Sequence, residues 1–252
     1  MTASIVERPS PNHDARPDGA AISILVLHYT DMPMADAALR RLCDPLAEVS
    51  AHYLIDEDGT TYRLVAEARR AWHAGKSRWR GVDGLNAVSL GIELANPGHS
   101  QGYRGFPVAQ MAALATLARG LVARHPIPPR NVVGHSDVAP DRKLDPGELL
   151  DWGALAADGI GLWPEPVAET QAETVAPLRE GDHGPRVNRL RAALARYGYS
   201  LGDDDRFGPH TAAVVRAFQR HFRPRLIDGV WDGACQARLA RLLALAGEPV
   251  ED

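Results

Sequence analysis

The sequence predicts an α/β protein with a mixed central sheet flanked by helices, followed by a small three-helix domain. Up to Trp163, short apolar runs typical of strands alternate with amphipathic stretches typical of helices, which is the pattern of a sheet covered by helices. Residues 164–177 form an acidic, proline-containing linker, and only helical periodicity follows over 178–246. A chain of 252 residues is long enough for one sizeable core and a second, smaller domain.

The elements at the start of this region are a strand, a helix and a hairpin. The strand is predicted over 22–29, a β-branched and leucine-rich run, and the helix over 36–46. Alternating apolar and polar residues over 50–56, followed by an Asp-Gly turn, predict a hairpin whose second strand is 60–64.

The second half of the region adds two strands and the clearest helix. A strand is predicted over 89–94, where Glu93 lies between two apolar neighbours. The helix covers 108–125, and prolines end it. Its apolar residues have the spacing of one helix face: Met111, Leu114, Ala115, Ala118, Leu121 and Val122. A short strand at 132–133 then leads directly to His135.

The composition of the chain limits the kinds of partner and site that we expect. With 45% hydrophobic and 24% charged residues, the chain has the composition of an ordinary globular protein. Its net charge of -4 argues against nucleic acid as the main partner, because phosphate binding needs a concentrated positive field. Cys43 and Cys235 fall in different predicted domains and form no C-x-x-C pair, so we expect neither a disulfide framework nor a thiolate metal site.

The N-terminal extension, 1–20, is polar and of mixed charge, without the apolar stretch of a secretory signal. No apolar run approaches the roughly 20 residues that cross a bilayer. The sequence therefore predicts a cytoplasmic protein without a membrane span. A periplasmic location is the alternative, because a chain from which a signal had been removed would have the same sequence.

A metal site is indicated by two histidines that end predicted strands. His28 closes the first strand, and His135 follows the last one within a segment whose glycine and prolines prevent a regular helix. The same segment carries Asp145. Two imidazoles and one carboxylate are a suitable ligand set for a catalytic zinc ion with one open position.

Two further residues fit hydrolytic chemistry at such a site. A bound metal lowers the pKa of water and polarises a carbonyl, but a carboxylate must still take the proton from that water. Glu93 is the candidate, because its apolar setting raises the pKa of a carboxyl group. Lys143, two residues before Asp145, is placed to stabilise an oxyanion.

Each of these residues also has a purely structural interpretation. A strand-end histidine is often structural, and an aspartate before a proline often forms a turn. A buried glutamate often serves an ion pair, and a loop lysine often faces solvent. The joint pattern favours the metal site over these separate explanations.

Five segments also carry a resemblance to a known family. They occur in this order: Leu27-His28-Tyr29-Thr30, Ser50-Ala51-His52-Tyr53-Leu54-Ile55, Trp72-His73-Ala74-Gly75, Gly91-Ile92-Glu93-Leu94, and Gly134-His135-Ser136-Asp137 through Lys143-Leu144-Asp145-Pro146-Gly147. Together they resemble the zinc-dependent N-acetylmuramoyl-L-alanine amidases of the type 2 amidase family, which is related to the peptidoglycan recognition proteins. The likeness covers about residues 20–163 and implies a catalytic domain over 21–163.

For the candidate site residues, the resemblance implies the same roles that their chemical properties suggest. Family positions matching His28, His135 and Asp145 bind Zn2+. The position matching Glu93 acts on the attacking water, and the one matching Lys143 supports the oxyanion. The implied reaction is hydrolysis of the amide between N-acetylmuramic or anhydro-muramic acid and L-alanine of the peptide stem. Peptidoglycan or soluble muropeptides are the implied partners, in peptidoglycan recycling or turnover.

Three more residues lie in or beside the family motifs and are expected near the substrate. We expect His73 to line the cleft and Asn96 to form its rim. His52 is expected to orient the hairpin beside them. Neither His52 nor His73 is a metal ligand in the family.

The C-terminal residues carry a second resemblance, through segments at 178–190, 204–219 and 228–233. They resemble the three-helix peptidoglycan-binding domain of type 1, with Phe207 and Phe218 expected in the core. Asp205 stands where that family has glycine in its first turn, and 232–235 departs from its second turn. The fold tolerates these changes, and affinity for the glycan polymer is implied by the resemblance alone.

Two other functions compete with the amidase. A non-catalytic peptidoglycan-recognition module is one, because relatives bind peptidoglycan after losing zinc ligands. The complete set of His28, His135, Asp145 and Glu93 argues against it. A zinc endopeptidase that cuts within the peptide stem is the other, since the same chemistry cleaves any amide.

Overall fold

The computed structural model describes residues 5–164, 176–202 and 204–248. The strands within these ranges are β1 (Ile5–Glu7), β2 (His13–Ala15), β3 (Ile24–Tyr29), β4 (Tyr53–Ile55), β5 (Thr61–Arg63), β6 (Arg69–Ala71), β7 (Arg78–Trp79), β8 (Val82–Asp83), β9 (Ser89–Leu94) and β10 (Val132–Gly134). The helices are α1 (Ala35–Cys43), α2 (Val108–Arg124), α3 (His135–Val138), α4 (Trp152–Ala157), α5 (Pro185–Tyr197), α6 (Pro209–Phe222) and α7 (Gly233–Leu245).

Six strands form the central sheet in the order β1-β5-β4-β9-β3-β10. Only the hairpin of β4 and β5 is antiparallel, and the other neighbours run parallel. The predicted mixed α/β class is therefore confirmed. Strands β3 and β9 lie in the middle of the sheet, where both faces are covered, and this explains their nearly continuous apolar sequences.

The two faces of the sheet are covered by different elements. Successive side chains of a strand point to opposite faces. Leu25 and Leu27 pack in the cluster that contains α2, whereas Ile24 and Val26 pack in the cluster that contains the C-terminal helices. His28 continues this second face.

Helix α2 buries the apolar stripe that the sequence predicts. Leu114, Ala118 and Leu121 are fully buried against β3, β4 and β9. The helix ends at Arg124, with His125 as its C-cap, before the first proline of the following loop. It thus fixes the face of the sheet that lies opposite the candidate site.

Residues 5–20, the described part of the N-terminal extension, belong to the sheet domain. Strand β1 pairs in parallel with β5 and forms an edge of the central sheet. The buried Asn12 amide donates to the carbonyl oxygens of Asp44 and Val49, each at 2.8 Å. The guanidinium of Arg16 donates to the carbonyl oxygen of Ser89 at 2.8 Å, and it lies 3.0 Å from His52 Nε2.

The C-terminal part folds into three helices, α5, α6 and α7, as predicted. Phe207 and Phe218 are fully buried in its core. Both cysteines are free, and Cys235 is buried in the same cluster. Residues 165–175, which make up most of the predicted linker, lie outside the described residues.

An apolar interface joins the C-terminal helices to the sheet domain. The Trp79 ring packs edge-on against Tyr197 and Tyr199, with ring centroids 5.9 and 5.1 Å apart. Residues of β3 and β10 belong to the same apolar cluster as the three helices. The two domains therefore share one core.

A buried carboxylate, Asp137 in α3, anchors this interface. Its Oδ1 accepts a hydrogen bond from the Tyr199 hydroxyl at 2.8 Å. Its Oδ2 lies 2.7 Å from His221 Nδ1 and also accepts from the Gly134 N–H at 2.7 Å. The His221 ring stacks on Trp152 at 3.7 Å. The C-terminal domain thus holds the turn that begins at His135.

A partly buried carboxylate, Glu67, gives a test of the sheet domain's stability. Burial opposes its ionisation, but hydrogen bonds from Arg124, Tyr53 and His125 outweigh this and lower its pKa from 4.5 to about 2. We expect Glu67→Gln to lower the free energy of unfolding by about 1–3 kcal/mol near neutral pH. The folded-state pKa is the lower one, so this stabilisation is present above pH ~4.5 and is lost as the pH falls toward 2.

Urea unfolding of both proteins at neutral and acidic pH measures this difference. Glu7→Gln is the control, because the pair of Glu7 and Arg63 is exposed and contributes about 0–1 kcal/mol. An equal effect of both substitutions, or a Glu67 effect that persists unchanged in acid, would contradict the assignment.

Candidate active site

Three parallel strands bring the site residues together at one edge of the sheet. His28 in β3 is the register partner of Glu93 in β9. Strand β10 pairs with the other side of β3 and ends at Gly134, directly before His135. Leu90, Ile92 and Leu94 all pack toward α2, so the alternation along β9 directs Glu93 to the opposite face. His28 and Glu93 therefore lie side by side on the same face.

Two histidines and an aspartate form a compact triangle. His28 Nδ1 lies 3.0 Å from His135 Nδ1 and 2.9 Å from Asp145 Oδ2, and His135 Nδ1 lies 3.0 Å from the same oxygen. Donors around a tetrahedral zinc ion at bond lengths of 2.0–2.1 Å are roughly 3.3 Å apart. All three side chains are buried. The three donor atoms thus have the spacing that a single small cation needs.

The ionisation states also suit a cation. Burial, followed by the charge of His135, lowers the pKa of His28 to about 4. Burial likewise lowers the pKa of His73 well below its ordinary value. Burial opposes ionisation of Asp145, but His135 and His28 outweigh it and hold its pKa well below the ordinary range. A carboxylate and a neutral imidazole are the forms that bind metals.

The tautomer of His135 directs a lone pair into the triangle. Its Nε2 lies 3.1 Å from the carbonyl oxygen of Ala74. A carbonyl oxygen can only accept, so this nitrogen carries a proton, and in the neutral form of the ring Nδ1 then holds the lone pair. A lone pair on Nδ1 and a carboxylate oxygen repel each other unless a cation lies between them. The donor set therefore fits a metal such as zinc.

Glu93 is the unusual acid of the site. Its Oε2 is buried and has no hydrogen-bond partner among the residues that the structure describes. Burial raises the pKa of Glu93 well above its ordinary value, and the charge of Asp145 adds to this, while Lys143 acts in the opposite direction. A carboxyl group with a raised pKa can both take up and release a proton near neutral pH.

A cavity of about 380 Å³ opens onto these residues. Its lining includes His28, His73, Glu93, His135, Lys143 and Asp145. Tyr29, Trp72 and His99 also line it and give it an aromatic wall. Its volume falls in the range of small-ligand sites, so it can hold a compact amide substrate over the triangle.

The three residues expected near the substrate occupy different places. Only His73 lines the cavity, and its Nδ1 lies 3.0 Å from His28 Nε2. His52 is fully buried, and its Nδ1 accepts from the backbone N–H of Gly91 at 3.0 Å. The Asn96 amide donates to the carbonyl oxygen of Arg104 at 2.8 Å and borders a separate hollow. His52 and Asn96 thus direct their polar atoms to the backbone.

The site contains an arginine that the motifs did not single out. Arg142 donates to the carbonyl oxygens of Ala74 and Lys76, each at 2.6 Å, and so fixes the loop that carries His73. One of its nitrogens lies 3.4 Å from His135 Nε2. Its position next to Lys143 is the only sequence signal that could have identified it.

The described parts of the chain contain no helix that is both long enough and apolar enough to cross a bilayer.

Two family models match the chain. One, described as N-acetylmuramoyl-L-alanine amidase, matches residues 18–148. The other, described as a putative peptidoglycan binding domain, matches residues 183–239. The first match contains every residue of the triangle together with Glu93 and Lys143.

Relatives in sequence are similar over most of their length. The chain is 39% identical over 261 residues to N-acetylmuramoyl-L-alanine amidase AmiD of Escherichia coli (strain K12), with 97% of this chain and 92% of AmiD covered. It is 37% identical over 161 residues to 1,6-anhydro-N-acetylmuramyl-L-alanine amidase AmpD of the same strain, with 57% of this chain and 86% of AmpD covered.

Two solved structures are similar across both domains. AmiD from E. coli in complex with the substrate anhydro-N-acetylmuramic acid-L-Ala-D-gamma-Glu-L-Lys has a TM-score of 0.78 at 39% identity, with 92% of this chain and 93% of that chain covered. AmpDh3 from Pseudomonas aeruginosa in complex with an anhydromuramic pentapeptide has a TM-score of 0.77 at 35% identity, with 91% and 94% covered.

Proposed function

The chain belongs to the N-acetylmuramoyl-L-alanine amidase family, and we propose that its substrates are anhydro-muropeptides, hydrolysed at a zinc ion held by His28, His135 and Asp145. The bond cleaved joins the lactyl group of the muramic acid to L-alanine of the peptide stem. The observation that carries the proposal is the triangle of three buried donor atoms, with separations of 2.9 to 3.0 Å, beside Glu93, whose Oε2 has no hydrogen-bond partner in the described ranges.

Zinc at this site would lower the pKa of a water molecule and polarise the substrate carbonyl. The remaining steps belong to the side chains. Glu93 Oε2 takes a proton from the attacking water and delivers it to the leaving nitrogen of L-alanine. The raised pKa of Glu93 suits both transfers, because the group must hold the proton between them.

Lys143 supplies the positive charge of the site. It lines the cavity, and its positive charge favours the ionised form of Glu93. A fixed cation there stabilises the negative charge that develops on the carbonyl oxygen as the amide is attacked. We assign to Lys143 this oxyanion role and no proton transfer.

The choice of substrate is supported by the two relatives whose structures contain anhydro-muramyl peptides. We propose that catalysis belongs to residues 21–163 and that 178–246 form a peptidoglycan-binding-like domain. The proposed setting is the recycling of soluble muropeptides, which agrees with the cytoplasmic location that the sequence predicts.

The test is mass spectrometry of products from an anhydro-muramyl tripeptide incubated with the zinc-loaded protein. We expect anhydro-muramic acid and an intact peptide that begins with L-alanine. Cuts between amino acids, or no turnover by a protein that contains zinc, would contradict the proposal. Intact sacculi form a second arm, and turnover faster on sacculi than on the tripeptide would overturn the proposed preference for soluble substrates.

A further inference from the structure

A row of hydrogen-bonding groups lies behind His28, on the side away from Asp145. His28 Nε2 lies 3.0 Å from His73 Nδ1, and His73 Nε2 lies 3.1 Å from the hydroxyl oxygen of Ser89. That hydroxyl lies 2.7 Å from the carbonyl oxygen of Leu85. His28 and Ser89 are almost completely buried, and His73 is 9% exposed. These four residues are called the relay below.

The direction of each hydrogen bond in the relay follows from its last member. The carbonyl oxygen of Leu85 can only accept, so the single hydroxyl proton of Ser89 points to it. The hydroxyl oxygen must then accept from His73. His73 Nε2 therefore carries a proton, and in the neutral ring His73 Nδ1 carries none.

The hydrogen bond between His73 and His28 has a direction that follows in the same way. His73 Nδ1 is an acceptor, so the nitrogen opposite it, His28 Nε2, must donate. The neutral ring of His28 then has its lone pair on Nδ1, which is the atom that faces Asp145 Oδ2 and His135 Nδ1. The opposite tautomer would place a proton inside the triangle and leave two acceptors facing each other at 3.0 Å.

The surrounding backbone is shaped to hold the His73 ring in this row. The side chain of Asn86 accepts hydrogen bonds from the N–H groups of His73 and Ala74, at 3.1 and 2.8 Å. Gly91 lies two residues after Ser89 on the same face of β9, and a Cβ atom there would come within 2.5 Å of the His73 ring. The absent side chain at Gly91 leaves the space that the ring occupies.

We propose that Ser89 and His73 are positioning residues that hold His28 in the tautomer whose Nδ1 can bind the metal. This inference rests on the proposed zinc site and adds two residues to it. Groups that orient metal-binding histidines in other proteins change metal affinity by about 10–100-fold when they are removed. The Ser89 hydroxyl contacts His73, and His73 contacts His28. Ser89 therefore influences the tautomer of His28 without touching the metal position.

The test uses the full chain with Ser89→Ala and His73→Leu. Nitrogen-15 NMR of the metal-free proteins reads which nitrogen of each histidine carries the proton, and competition with a chelator of known affinity measures zinc binding. We expect wild-type His28 to be protonated at Nε2. Zinc affinity should fall roughly 10-fold in Ser89→Ala and up to about 100-fold in His73→Leu, together with a loss of that single tautomer.

Two further variants separate positioning from general damage. Thr61→Val removes a buried hydroxyl of the same domain that donates to the carbonyl oxygen of Gly59 rather than to the relay, and it should leave the tautomer and the zinc affinity unchanged. His73→Gln keeps an acceptor toward His28 and a donor toward Ser89, and it should restore most of the affinity lost in His73→Leu.

The inference is overturned if Ser89→Ala keeps both the wild-type tautomer and the wild-type zinc affinity, or if wild-type His28 is protonated at Nδ1. Failure of the proposed function gives a different result. In that case the wild-type protein binds no zinc, while the NMR measurement on the metal-free chain still reports whether the relay sets the tautomer.

Discussion

Glu93→Gln is expected to lower kcat by roughly 10²–10⁴-fold while the protein still binds one zinc ion. Glutamine has nearly the shape of glutamate but cannot accept and return a proton, and Glu93 is not among the three residues of the metal triangle. The measurements are the turnover of an anhydro-muramyl tripeptide and the zinc content of the same preparation. Turnover close to wild type would remove Glu93 from the mechanism.

The same substitution is expected to stabilise the metal-free protein. Above its ordinary pKa of 4.5, an unfolded-state glutamate ionises, whereas the buried Glu93 carboxyl retains its proton because its pKa is raised. The contribution of Glu93 to the free energy of unfolding therefore falls as the pH rises above 4.5. Glutamine does not titrate, so the unfolding temperature of Glu93→Gln should exceed that of wild type by a margin that grows with pH. Glu57→Gln, outside the cavity lining, is the control and should change neither turnover nor this margin.

Asp145→Asn is expected to abolish zinc binding and, with it, all turnover. The amide of asparagine provides no charge and can donate to the free Nδ1 atoms of His28 and His135, so the folded state is retained without the metal. The affinity should fall by more than about 100-fold, since even groups one shell away from a metal change its affinity by 10–100-fold. Zinc content after dialysis, and circular dichroism of the same sample, measure the two effects.

The matched control for this variant is Asp141→Asn in the same loop. Asp141 is exposed and pairs with His210 of α6 rather than with the triangle. It should keep its zinc and its turnover. If Asp145→Asn retained stoichiometric zinc, Asp145 would not be a ligand and the triangle would need another third donor.

The sheet and the meeting of His28, His135 and Asp145 at its edge could be predicted from the sequence, because both follow from patterns within short segments. The apolar runs that end at His28 and begin before His135 are buried strands, and parallel strands deliver the residues at their carboxyl ends to one edge. The position of Glu93 beside His28 could be predicted because a charged residue inside an apolar strand is expected at an edge or a cavity. These signals lie within a few residues of each site residue.

Other features could not be predicted, because they depend on partners far apart in the chain. Strand β1 has only three exposed residues, so it has no periodicity to detect. Asp137 is indistinguishable in sequence from Asp141, and only the fold brings Tyr199 and His221 to it. Membership in a motif also did not distinguish His73, which lines the cavity, from His52, whose polar atoms serve the backbone.

The buried carboxylate of Asp137 limits how this enzyme can be divided or recombined. Excising the C-terminal helices would strip Asp137 of both side-chain donors and expose the indole of Trp79 to water. The turn that carries His135 would lose the contacts of Asp137 with the C-terminal helices in the same step. Grafting the amidase half onto a different wall-binding module would therefore require a new surface that replaces Tyr199 and His221, and a fusion through a flexible linker alone would not supply it.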